Sequence, residues 1–160
     1  ILSSALHKTN IINPYIIDSN VLDLFAGTGS LGIECLSRGA SSAIFVDVSK
    51  ESINIVKSNI KKARVENEST ILNLDFKNAI DRLKIQNKKF DIIFMDPPYY
   101  KNMFIDALSS IDEADLLCDD GIIVVEHDTK DKFVDKIGRL EKTRDKKYGN
   151  TTLTFYKLEE

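Results

Sequence analysis

Val21-Leu22-Asp23-Leu24-Phe25-Ala26-Gly27-Thr28-Gly29-Ser30-Leu31-Gly32 decides the fold. Val21 to Phe25 is a short apolar run of strand length. Ala26-Gly27-Thr28-Gly29 is a glycine turn, where a backbone lacking Cβ atoms passes close to a ligand. Ser30 caps and opens a helix through about Ser37, with Leu31 and Cys35 at helical spacing. Arg38-Gly39-Ala40 ends that helix, with Gly39 as the residue just past it.

The same strand-then-helix order repeats outward from this unit. Ala43 to Val48 is a second strand carrying Asp47 at its end, and Ser49 or Lys50 opens a helix whose Ile53, Val56, Ile60 and Ala63 share one face. Ser69 to Leu74 is a third strand, ending near Asp75; a short helix follows with Phe76, Ala79, Ile80 and Leu83 on one side. Phe90 to Met95 is the fourth strand, and Asn102 to Ile111 is helical. Asp119-Asp120-Gly121 reads as a turn before a fifth strand, Ile122 to Glu126, with a further helix over Lys130 to Ile137. Arg139 to Lys146 and Thr151 to Leu158 form a hairpin around Tyr148-Gly149-Asn150. Short apolar strands alternating with amphipathic helices predict a mostly parallel α/β sheet with helices on both faces. In such sheets ligands bind at the C-terminal strand ends.

Those ends carry the chemistry. Gly27, Gly29 and Gly32 fit the dinucleotide fingerprint G-x-G-x-x-G, with an acid, Asp47, after the next strand, so a NAD-dependent oxidoreductase is one reading. The same loop also serves cofactors without a pyrophosphate. Asp23 favours those, since a carboxylate there repels a diphosphate and attracts a cationic amino group. Asp47 is placed to accept from ribose hydroxyls. Asp75 either accepts from an adenine amino group, with Phe76 packing the ring, or caps the following helix; both can hold together. Asp96-Pro97-Pro98-Tyr99 ends the fourth strand: a carboxylate acceptor, two prolines whose carbonyls are free to face a ligand, and a ring for stacking. That set suits a flat base with an exocyclic amine, adenine and cytosine as well as guanine. Glu126-His127-Asp128 has the composition of a metal site, but neighbours on a strand point to opposite faces, so His127 reads as structural. A non-catalytic nucleotide-binding module is the remaining alternative.

The 160 residues predict a single domain over 1–160, with 1–20 weakly patterned. Net charge is −3, which excludes a uniformly basic nucleic-acid binder. Basic residues do concentrate late, from Lys130 and Lys132 through Arg139, Arg144 and Lys147, among acids; a solvated rim accounts for them better than an RNA contact. Cys35 and Cys118 are isolated and suit a reducing compartment. No run is long and apolar enough to cross a membrane, so a cytoplasmic protein without membrane partners is expected.

The glycine loop from Asp23 to Glu34, Arg38-Gly39-Ala40, Asp96-Pro97-Pro98-Tyr99 and Tyr148-Gly149, in this order, resemble the bacterial 16S ribosomal RNA guanine-N2 methyltransferases of the RsmD type. The resemblance covers the chain from about Asn10 onward. It implies a Rossmann-like class I S-adenosylmethionine methyltransferase with a seven-stranded, mostly parallel sheet closed by an antiparallel hairpin. It implies S-adenosylmethionine as cofactor, S-adenosylhomocysteine as product, and no metal. The cofactor would lie against Asp23, Phe25, Ala26, Gly27, Thr28, Gly29, Asp47, Val48, Asp75 and Phe76, with Asp47 on the ribose and Asp75 near the adenine. The target guanine would be held by Asp96, Pro97, Pro98 and Tyr99. The implied partner is 16S ribosomal RNA, within the small subunit or an assembly intermediate, met by a monomer. Relatives usually begin with a basic β-hairpin and an Arg-Pro-Thr segment; Ile1 to Asn10 matches neither, and a chain shortened at its start is expected. Asp47 stands where relatives often carry Glu.

Overall fold

The computed structural model describes residues 11–97, 101–131 and 133–160, without the side chains of Lys101 and Asn102. The expectations for Pro98, Tyr99 and Lys132 therefore lie outside the described residues. The strands are β1 (Asn20–Leu24), β2 (Ser42–Val46), β3 (Ser69–Leu72), β4 (Phe90–Met95), β5 (Leu117–Asp128), β6 (Lys136–Ile137), β7 (Leu140–Tyr148) and β8 (Thr151–Leu158). The helices are α1 (Asn13–Ile16), α2 (Ser30–Ser37), α3 (Lys50–Ala63), α4 (Phe76–Ile85) and α5 (Lys101–Glu113). All the described strands form one sheet in the order β3-β2-β1-β4-β5-β8-β7-β6. β3 through β5 are parallel, and β8, β7 and β6 run antiparallel.

The period-2 alternation of the strands builds two cores. Val21, Phe45, Ile92, Phe94, Ile122 and Val124 face α1, α2 and α3. Leu22, Leu24, Ile44, Val46, Ile93, Met95, Ile123 and Val125 face α4 and α5. Complete burial of the central strands on both faces is why they read as continuous apolar runs.

The expected seven strands are present, and an eighth, β6, lies where a helix over Lys130 to Ile137 was expected. The helical spacing of Phe133 and Ile137 is overridden by the neighbouring hairpin. The carbonyl of Val134 accepts from the Tyr156 hydroxyl at 2.8 Å, and that of Asp135 from the Lys142 amide at 2.8 Å. Ile137 then turns through Gly138, at φ +55°, to pair with Leu140. Asp119-Asp120-Gly121 is not a turn before β5 but part of a bulge within it: Phe90 pairs with Leu117, whereas Ile92 pairs with Ile122. β3 stops at Leu72 rather than Leu74.

α2 begins without a side-chain cap. Gly29, at φ +78°, holds the N-cap position and Ser30 is the first helical residue, correcting the expected serine cap. Its end follows expectation: Gly39, at φ +107°, lets its own amide reach the Leu36 carbonyl and that of Ala40 reach Cys35, closing a Schellman motif.

Candidate active site

Strand parity assembles the site. Asp47 follows β2 on the parity of Ala43 and Phe45; Asp23 shares the face of Val21; Asp96 follows Ile92 and Phe94; Glu126 follows Ile122 and Val124. Four carboxyls therefore lie on one face of four neighbouring strands, β2-β1-β4-β5, toward their C-terminal ends. They border a cleft of about 940 Å³, which opens between the glycine turn and the loops after β3, β4 and β5. Phe25, Ala26, Gly27, Thr28, Val48, Asp75, Phe76 and Pro97 line it too. Gly29 does not; it sits behind the wall, where an added Cβ would lie 3.2 Å from Val56 and 3.4 Å from Phe45.

Asp23 is buried beneath α2, and one of its oxygens accepts from the Gly32 amide at 3.2 Å. Gly32 allows that approach because it is pressed on the Phe45 ring: a Cβ there would fall 2.4 Å from Phe45 Cε1. Burial pushes the Asp23 carboxyl up to about 7, the Gly32 amide pulls against it, and the charges of Asp96 and Asp47 add to the rise. The Asp47 carboxylate is held from two sides, accepting from the Gly27 amide at 2.9 Å and the Ser49 amide at 2.9 Å. An amide of the glycine turn and one in the first turn of α2 are thus already turned to carboxylates. A pyrophosphate would meet two acids there instead of free N–H groups, so the site disfavours a dinucleotide. Asp75 caps α4, accepting from the Asn78 amide at 2.9 Å and the Asn78 side chain at 2.7 Å, and these bonds hold its carboxyl below the usual range.

Two asparagines that the sequence reading passed over brace this half. Asn73 donates to the carbonyls of Asp47 and Val48, both at 3.0 Å, and Asn59 donates to the Thr28 carbonyl at 2.9 Å. Phe25 holds a left-handed backbone, φ +67°, which is rare for a bulky residue, and its ring meets Phe76 at 5.7 Å.

The other half was largely missed. Met103, Phe104, Asn150 and Thr151 line the cleft, and so does Glu126. Met95 pairs with Val125 in parallel register, so the next residues, Asp96 and Glu126, stand side by side. Glu126 is only 7% exposed, and among the described residues its Oε1 has no hydrogen-bond partner. Burial, with the Asp96 carboxyl facing it, pushes Glu126 up to about 7; two carboxyls this close hydrogen-bond only when one carries a proton. The available signal was its strand-end position, which had already marked Asp47, Asp75 and Asp96. His127, by contrast, is engaged at both nitrogens, Nδ1 at 2.8 Å from the Asp128 carbonyl and Nε2 at 2.6 Å from the Thr154 hydroxyl. Its ring stacks on Phe133 at 4.0 Å, and burial lowers its basicity. No group of three or more His, Cys, Asp or Glu side chains that could hold a metal occurs among the described residues.

Five parallel strands in the order 3-2-1-4-5, an antiparallel hairpin beyond them and an acid row facing the glycine turn define the class I S-adenosylmethionine methyltransferase fold. Within it, the chain belongs to the RsmD-type family: the family model described as conserved hypothetical protein 95 matches residues 7–157. It is 40% identical over 148 residues to "Putative rRNA methyltransferase YlbH" of Bacillus subtilis, covering 92% of this chain and 80% of that one. It is 38% identical over 126 residues to "Ribosomal RNA small subunit methyltransferase D" of Haemophilus influenzae, covering 77% of this chain and 63% of that one. A solved structure from Streptococcus pyogenes, described as a conserved hypothetical protein, superposes with a TM-score of 0.84 at 35% identity, over 94% of this chain and 93% of the other.

Proposed function

We propose that this protein transfers a methyl group from S-adenosylmethionine to the exocyclic N2 amine of a guanine in small-subunit ribosomal RNA. Ribosomal RNA as substrate is supported by the names of the relatives. The single observation that carries the chemistry is the pair of carboxyls, Asp96 and Glu126, standing side by side across a cleft from a glycine turn whose Gly27 amide is already taken by Asp47. Such a site welcomes cations and N–H donors and rejects phosphate.

The residues present fit the cofactor. Asp23 lies buried with no cation beside it among the described residues and would receive the ammonium of the amino acid tail. Asp47 would accept from the ribose hydroxyls, while Gly27 leaves open space within 4 Å of where its Cβ would be. Asp75 would accept from the adenine amino group, with Phe76 against the ring and Val48 exposed on the other side of the turn. The cofactor supplies an electrophilic methyl on a positively charged sulfur.

The chain's own part is to aim a poor nucleophile. The guanine amine has its lone pair delocalised into the ring. Asp96 and the Pro97 carbonyl accept its two N–H groups and hold the nitrogen toward tetrahedral geometry. Alignment of this kind lowers a barrier by roughly 7–11 kcal/mol at best. The carboxyls stabilise the positive charge that develops on nitrogen and accept its proton. Pro98 and Tyr99 follow in the sequence, and Tyr99 would stack on a base drawn out of its helix or loop.

Asp96→Ala tests the assignment. With hypomethylated small subunits, and with naked 16S RNA beside them, methyl transfer should be lost while calorimetry still shows S-adenosylmethionine binding. Turnover near that of the parent protein would remove Asp96 from the reaction. Nucleoside mass spectrometry of the product would show whether guanine N2, adenine or cytosine carries the methyl.

A further inference from the structure

We infer that Glu126 is the specificity residue of this site, accepting the N1–H of the target base so that guanine is taken and adenine or cytosine refused. The inference rests on the amine-methylating function proposed above and goes beyond it to the choice of base.

The geometry comes from the sheet. β4 and β5 are parallel neighbours in register at Met95 and Val125, so one step further the Asp96 and Glu126 side chains emerge together on the face that borders the cleft. Glu126 Oε1 is shielded from water yet has no donor among the described residues. A buried acceptor left empty costs about 1–3 kcal/mol, and more when it is charged, so a ligand that fills it gains what a misfit forfeits.

The three bases differ at this point. Guanine presents N1–H beside the N2 amine, three N–H donors along one edge. Adenine and cytosine present an amine beside a bare ring nitrogen, an acceptor. Asp96, the Pro97 carbonyl and Glu126 are three acceptors, matching guanine donor for donor. Against adenine, Glu126 would set a carboxylate oxygen against a nitrogen lone pair. Sites built to hydrogen-bond one group discriminate strongly against an analogue that lacks it, because their own polar atom is then left unpaired. In the free protein the Asp96 carboxyl faces Glu126, and the base's N–H groups would supply both acids with donors.

The test uses 2-aminopurine, which keeps the N2 amine and has an acceptor at N1. Small-subunit ribosomal RNA is prepared with guanine or 2-aminopurine at the methylated position, and kcat/KM is measured for each. The parent protein should prefer guanine by on the order of 100-fold. Glu126→Gln, whose amide can donate to N1, should bring the two substrates within about tenfold while S-adenosylmethionine affinity stays unchanged. Equal use of both bases by the parent protein would overturn the inference without any variant, and so would a Glu126→Gln protein that keeps the full preference. Failure of the parent protein to methylate any guanine would instead overturn the proposed function beneath it.

Discussion

The two halves of the cleft treat their carboxylates in opposite ways. On the β1–β3 side each acid is tied down: Asp47 by the amides of Gly27 and Ser49, Asp23 by Gly32, Asp75 by Asn78. On the β4–β5 side Glu126 keeps an oxygen with no partner among the described residues, and its neighbour is another acid. A carboxylate fixed by backbone amides has its direction set before a ligand arrives, which suits an invariant ligand such as a cofactor. A buried carboxyl with an oxygen still unpartnered, set beside a second acid, is unsettled until donors arrive, which suits a ligand that must be judged.

Four substitutions break or sharpen this contrast. Gly32→Ala should do most harm, because its Cβ would meet a fully buried Phe45 ring at 2.4 Å. A loss of about 3 kcal/mol or more in urea unfolding is expected, together with loss of cofactor binding as Asp23 is displaced. An unchanged midpoint would mean that the tied half is not rigid.

Asp23→Asn should act next, and in the stabilising direction. Asp23 and Glu126 both keep protons in the fold at pH values where the unfolded chain has released them, since both are pushed up to about 7. The folded state then binds more protons, so stability falls as pH rises from about 4 through about 7 and levels off above. Removing the Asp23 charge should restore roughly 2–3 kcal/mol at pH 8, flatten that slope and weaken S-adenosylmethionine binding. A slope as steep as the parent's would place the titration elsewhere. By the same linkage, S-adenosylmethionine binding near pH 7 should release protons, read by calorimetry in buffers of different ionisation enthalpy.

Asp47→Ala frees the Gly27 and Ser49 amides. Its expected cost is about 2 kcal/mol of cofactor affinity, roughly 30-fold, with little change in stability. Asp75→Ala is the smallest change: the loss of an N-cap, about 1 kcal/mol, seen as a fall of several degrees in Tm. An affinity loss larger than the stability loss would assign Asp75 to the adenine as well as to the helix.

Much of the tied half was legible in the sequence. An acid inside an otherwise apolar strand, glycines straight after it and an acid after the next strand are local patterns, and the strand period alone puts Asp23 and Asp47 on one face. The open half was legible at Asp96 and Pro97 but not at Glu126. Glu126 is followed by His127 and Asp128, a triplet read for metal ligation and set aside as structural, and only the pairing of β4 with β5 sets it beside Asp96. β6 escaped for a similar reason: Phe133 and Ile137 have helical spacing, but partners more distant in sequence, Tyr156 and Lys142, claim the carbonyls that a helix would need. The braces Asn59 and Asn73 left no trace in the sequence, because what they hold is backbone.

The place of β8 between β5 and β7 has a consequence in time. A chain made from its N-terminus delivers the residues of the cofactor half, 23–76, well before those of the base half, 96–151. Until Thr151–Leu158 arrive, β5 is an unprotected sheet edge and the wall bearing Glu126 has no neighbour on its far side. During synthesis, the means of holding a methyl donor are therefore encoded and exposed before the means of choosing what receives the methyl.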